Sequence, residues 1–132
     1  VLDFAAKAMN LRDRVKTYHS GAIVGTEYLR NEMKQGKYRP GFESVLISSV
    51  HRLGRLELGQ VIENAHHLLA DRGVLVVGGP ARRPRHGGVG ADEAIEDAMK
   101  VFGTPEHVHD GDLKRSLETG PHRHGDFRKN VS

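Results

Sequence analysis

The sequence predicts an α/β domain of three layers, a mainly parallel sheet covered by helices on both faces. Two observations carry this reading. Val45-Leu46-Ile47 and Val74-Leu75-Val76-Val77 are continuously apolar rather than alternating, the pattern of strands buried on both sides. Between them Leu58, Val61, Ile62, Ala65, Leu68 and Leu69 recur on one helical face, and Asp71-Arg72-Gly73 breaks that period. Strand, helix, tight turn and strand within about 35 residues make a βαβ unit with a right-handed crossover. Ligands of such sheets sit beyond the carboxyl ends of the strands. That directs attention to Ser48–Arg52 and to Gly78–Arg85.

Each remaining element follows from its own signals. Residues 1–13 read as a helix, with Leu2, Ala5, Ala8 and Met9 on a shared face. A parallel α/β domain ordinarily begins with a strand, and this chain begins with Val1, so the first strand is expected to lie upstream of the sequence. Arg14–Tyr18 reads as a strand ending at His19-Ser20-Gly21. Thr26 is the expected N-cap of a helix running to Gln35, with Leu29 and Met33 one turn apart and Gly36 as its stop. Asp92–Phe102 has the clearest helical stripe, Ala94, Ile95, Ala98, Met99 and Phe102, with acids at its start and Lys100 near its end. Glu106–His109 reads as a short edge strand, and Asp110 or Asp112 as the cap of a brief helix carrying Leu113 and Leu117. Residues 1–120 are expected to form a single domain, and 121–132 a polar, flexible tail.

Composition excludes several function classes. A chain of 132 residues with 37% hydrophobic residues supports one domain with a small core. The absence of Trp, with aromatics at 5%, argues against a base-stacking nucleic-acid surface. A net charge of +3 from nearly balanced acids and bases gives no polyanion-binding signal. With no Cys there can be no disulfide, thiolate metal site or cysteine nucleophile. No apolar run reaches membrane-spanning length and no signal-peptide layout opens the chain, so the expected location is the cytoplasm.

The candidate site residues cluster where the strands end. His51 follows a buried strand directly, and a histidine there can act as a general base near neutral pH. Ser48 and Ser49 stand beside it as hydrogen-bonding groups, but no G-x-S-x-G elbow surrounds them, which argues against a serine hydrolase. Pro80–Gly90 holds three Arg, two Pro and three Gly, and lacks the Lys-Ser or Lys-Thr of a P-loop. It reads as a connector, or as a basic loop over an anionic ligand group. His66 and His67 read as surface residues of the crossover helix. The pairs His107-x-His109 and His122-x-His124, with Asp110 or Asp126, have ligand types that zinc accepts. The second pair falls in the expected tail, so no metal site is assigned.

Longer stretches carry a family resemblance. Asn10-Leu11-Arg12-Asp13-Arg14-Val15, Phe42–His51, Leu68–Val77 with its Asp71-Arg72-Gly73 turn, and Asp112–Glu118 resemble successive segments of class I S-adenosylmethionine-dependent methyltransferases, over about residues 1–120. The resemblance implies a Rossmann-like fold and transfer of a methyl group from S-adenosylmethionine, or descent to a non-catalytic relative. It implies His51 as the acceptor's base, and His19, Ser20 and Gly21 flanking the cofactor's nucleoside. Ser48, Ser49, Gly78 and Gly79 would line the pocket. The family's glycine-rich first loop has no counterpart here, and Ser48-Ser49 stands where many members carry Asp. Cobalamin-binding Rossmann-like domains offer an alternative: Ser48-Ser49-Val50 and Gly78-Gly79 resemble their Ser-x-Leu and Gly-Gly elements, without the cobalt-ligating Asp-x-His-x-x-Gly. A third reading is a small α/β interaction subunit without cofactor. The expected partners are therefore a small-molecule ligand and a partner chain, or a second copy, that completes the sheet.

Overall fold

The structure, a computed structural model, describes residues 21–47, 50–83, 87–111 and 122–130. In chain order these form α1 (Ala22–Lys34), β1 (Phe42–Ile47), a 3₁₀ turn (Val50–Arg52), α2 (Arg55–Leu68), β2 (Leu69–Pro80), α3 (Ala91–Phe102), β3 (His107–Asp110) and β4 (His122–Arg128). The strands lie in the order β1-β2-β4-β3. β1 and β2 are parallel, joined by α2 as the sequence predicts. β4 is antiparallel to both of its neighbours, so β3 runs in the same direction as β1 and β2. The fold is α/β with a mixed four-stranded sheet. The helix expected over 1–13, the strand over 14–18 and the helix after Asp112 fall outside the described residues.

The crossover helix buries the face its period selects: Leu58, Val61, Ile62, Ala65 and Leu68 are all at most 1% exposed. Its first turn is capped from within. Gly54, at the N-cap, has no side chain to offer, and Glu57 reaches back to accept from the Gly54 N–H at 3.2 Å. Glu93 does the same for Gly90 at the start of α3, at 3.5 Å. Each is half of a capping box, which covers one of the N–H groups a helix start leaves open. In α3 the stripe Ala94, Ile95, Ala98 and Phe102 is buried, while Met99 lies on its flank at 43% exposed.

Three expectations are corrected by the structure. Thr26 is not the N-cap of α1; the helix begins at Ala22 behind Gly21, and the Thr26 hydroxyl donates back to the Ala22 carbonyl at 2.7 Å. A Thr inside a helix satisfies its hydroxyl this way. The Asp71-Arg72-Gly73 break is not a turn ahead of the strand. It is a bulge within β2, between the pairs Phe42↔Leu69 and Ser44↔Val74, with Arg72 at φ 68°. Finally, the expected tail after Pro121 contains β4, which fills the sheet between β2 and β3. Its Phe127 is fully buried, opposite Leu75.

Leu75, Val77 and Phe127 face α2 and α3 and join Val61, Ile62, Ala65, Ala98 and Phe102 in one core. Because side chains alternate along a strand, Val74, Val76, His124 and Asp126 point to the opposite face, where they are only partly buried. Among the described residues no helix is long and apolar enough to cross a membrane.

Candidate functional site

The carboxyl ends of β1 and β2 meet the 3₁₀ turn and the end of the 80–90 loop. Val50, fully buried, anchors the turn in the core and leaves His51 partly exposed at the lip. Glycines make this convergence possible. A Cβ on Gly79 would come within 2.9 Å of Val50 Cγ2. A Cβ on Gly88 would fall onto the His51 carbonyl oxygen, and one on Gly90 would lie 2.8 Å from the Arg83 backbone nitrogen. The glycine-rich segment therefore closes backbone to backbone over the residue singled out as a base. Arg83 is held 3.9 Å from Glu93 on α3, with most of its side chain in solvent.

The other predicted site residues are distributed unevenly. Gly21 takes a left-handed conformation (φ 69°) ahead of α1 and is exposed. His19, Ser20, Ser48 and Ser49 lie outside the described residues. Gly78 and Gly79 are buried, and the close approaches they allow are made by protein. A Cβ on Gly78 would lie 3.0 Å from the His124 Cβ on β4, and Gly79 meets Val50.

A second polar region separates α1 from α2. A shallow cleft of about 290 Å³ is lined by Glu27, Arg30, Asn31, Lys34, Gln60 and Asn64. Asn64 is fully buried at its floor. Its Oδ1 accepts from Arg30 Nη1 and Gln60 Nε2, each at 3.1 Å, and its Nδ2 donates to Thr26 Oγ1 at 3.0 Å. Every hydrogen bond here joins the two helices or one helix to itself, so the network is structural. Sequence reasoning passed over Asn64 because a single Asn in an amphipathic pattern carries no signal.

Arg55 ties the start of α2 to α3, reaching Asp97 at 2.8 and 3.0 Å and Glu93 at 2.9 Å. Burial raises the Asp97 carboxyl, but Arg55 and Lys100 together outweigh it and hold the pKa below its ordinary value. His66, expected on the surface, instead packs its ring 5.1 Å from Phe102. Burial and the nearby Lys129 push its pKa below the ordinary 6.5.

No protein-family model matches this chain. No curated protein matches it either. Solved structures do: the N-methyltransferase NodS from Bradyrhizobium japonicum WM9 in complex with S-adenosyl-L-homocysteine aligns over 94% of this chain with TM-score 0.57 and 18% identity. Another NodS structure aligns over 69% with TM-score 0.54 and 22% identity. The chain spans 52–60% of the length of these proteins. The likeness establishes a methyltransferase-like fold, and neither match supports the corrinoid alternative.

Proposed function

We propose that this chain is an S-adenosylmethionine-binding, methyltransferase-like domain with its ligand lip at the carboxyl ends of β1 and β2. The observation that supports this most is the fold match over 94% of the chain to a methyltransferase solved with S-adenosyl-L-homocysteine. The local chemistry fits such a ligand. The lip offers an imidazole and the backbone groups of Val50–Arg52 and Gly87–Gly90, partners suited to an uncharged nucleoside.

When bound, S-adenosylmethionine supplies a methyl carbon activated by a sulfonium leaving group. In this reading His51 takes the proton that an acceptor N–H or O–H releases as its nitrogen or oxygen forms the new bond to carbon. Ser48, Ser49 and the His19–Gly21 segment complete the pocket wall in this proposal. The closed Gly88–His51 contact fixes the turn that presents the imidazole, and alignment of the two reactants provides most of the acceleration.

In a partner role, the same domain completes its sheet at β1, an edge strand among the described residues with Glu43, Ser44 and Leu46 exposed. An edge strand presents unpaired N–H and C=O groups to a further strand, which is why this edge is the proposed contact for a partner chain or a second copy.

The test combines binding and turnover. Calorimetric titration with S-adenosyl-L-homocysteine should give saturable binding in the wild type and in His51→Ala. Methyl transfer to a panel of amine and hydroxyl acceptors should be lost in His51→Ala by roughly 10²–10⁴-fold. Binding without turnover on any acceptor points to the non-catalytic relative, and no binding removes the cofactor reading altogether.

A further inference from the structure

We infer that the sheet face opposite α2 and α3 carries a divalent transition-metal site built from His109, His124 and Asp126. The register of β3 and β4 places His109 directly opposite His124, and His107 opposite Asp126. Residues two apart on a strand share a face, so His107, His109, His124 and Asp126 all project from the side away from α2 and α3. Three of them converge: one ligand atom each from His109, His124 and Asp126 lies within 4.8 Å of the others. His109 Nε2 is 3.4 Å from Asp126 Oδ2, and the His109 and His124 rings stack with centroids 4.6 Å apart at 21°. The His107 ring is 5.7 Å from that of His109, beside the cluster.

Among the described residues, the ion pair recorded for this carboxylate is with His109. The two guanidiniums on β4 are engaged elsewhere: Arg123 pairs with Asp92 at 2.6 Å on the helix side, and Arg128 pairs with Glu106. Gly78 lets the His124 backbone sit close against β2, in the middle of the sheet, so one ligand stands on a fixed strand while His109 stands on the edge.

Two imidazole nitrogens and one carboxylate oxygen suit zinc and its first-row neighbours rather than calcium or magnesium. Ligand atoms around one such ion sit about 3–3.5 Å apart at bond lengths near ~2.0–2.1 Å, so small side-chain rotations from the present geometry close the site. Three protein ligands leave a coordination position for water or a further ligand. An ion here also clamps the edge strand β3 onto β4.

The experiment titrates the 132-residue chain with Co(II) near neutral pH, following its visible ligand-field bands, and then displaces it with Zn(II). The expected result is one saturable equivalent, with affinity weakened on the order of tenfold or more in His124→Ala, Asp126→Asn and His109→Gln. His67→Ala, an exposed histidine on α2, should bind as the wild type does. His109 is exposed, so His109→Gln should keep the wild-type circular dichroism and separate loss of a ligand from loss of the fold. Absence of ligand-field bands, or equal binding by wild type and all three variants, would overturn the site.

Discussion

Asn64 shows how a single residue can hold two elements in register. It is fully buried, and its amide is matched on both ends by Arg30, Gln60 and Thr26. Asn64→Ala leaves those partners facing a void, and should cost about 1–3 kcal/mol in chemical denaturation. Gly88 acts at the same scale but through backbone. Gly88→Ala puts a methyl group onto the His51 carbonyl, which should cost about 1–3 kcal/mol as the loop is forced away. Because the displaced loop belongs to the proposed lip, the same variant should bind S-adenosyl-L-homocysteine more weakly than the wild type in a titration. His66 contributes a pH dependence. Its folded pKa lies below 6.5, so the unfolded chain takes up the proton first as pH falls, and stability declines below about pH 6.5. Denaturation curves between neutral and mildly acidic pH should show that decline, and His66→Gln should reduce it, leaving the share of His67, whose pKa burial also lowers.

At the scale of elements, what was legible depended on whether an apolar period survived in the sequence. α2, α3 and the apolar runs of β1 and β2 carry theirs openly, and the edge strand β3 follows from its position after Gly103 and Pro105. β4 hides its own. Its inward positions are Arg123, Gly125 and Phe127, of which Phe127 alone reads as apolar, and its outward positions are His122, His124, Asp126 and Arg128. Gly125 is there because a Cβ would press on Ile95 at 3.1 Å, so close packing against α3 removed the very side chain that would have signalled a strand. Thr26 failed as an N-cap for a related reason: its hydroxyl finds an acceptor inside the helix, and the N-cap falls on Gly21, which has no side-chain signal. The strand status of β4 has a measurable consequence. Phe127→Ala should destabilise the domain by about 3–5 kcal/mol, whereas a substitution in a flexible tail would leave the denaturation midpoint where it was.

For the whole molecule, the βαβ unit and the α/β class were readable from β1, α2 and β2, and in the structure the His51 backbone lies against Gly79 near the carboxyl end of β2. The approach of Gly88 to that turn was not readable, because it joins residues 37 positions apart through backbone alone. The cluster of His109, His124 and Asp126 was half readable: both His-x-His pairs stood out, but the approach of His109 to His124 and Asp126 depends on β4 being a strand. The methyltransferase-like fold and the composition of the lip lead to a single central claim, that the domain binds the nucleoside portion of S-adenosylmethionine. The most direct test is the melting temperature of the full chain with and without S-adenosyl-L-homocysteine, with cobalamin as a control. At about 100 times the dissociation constant, binding adds about 2.7 kcal/mol and raises the melting temperature of a domain this size by roughly 10 °C. That shift, absent with cobalamin, is the predicted result; an unchanged melting temperature at saturating nucleoside would contradict the account.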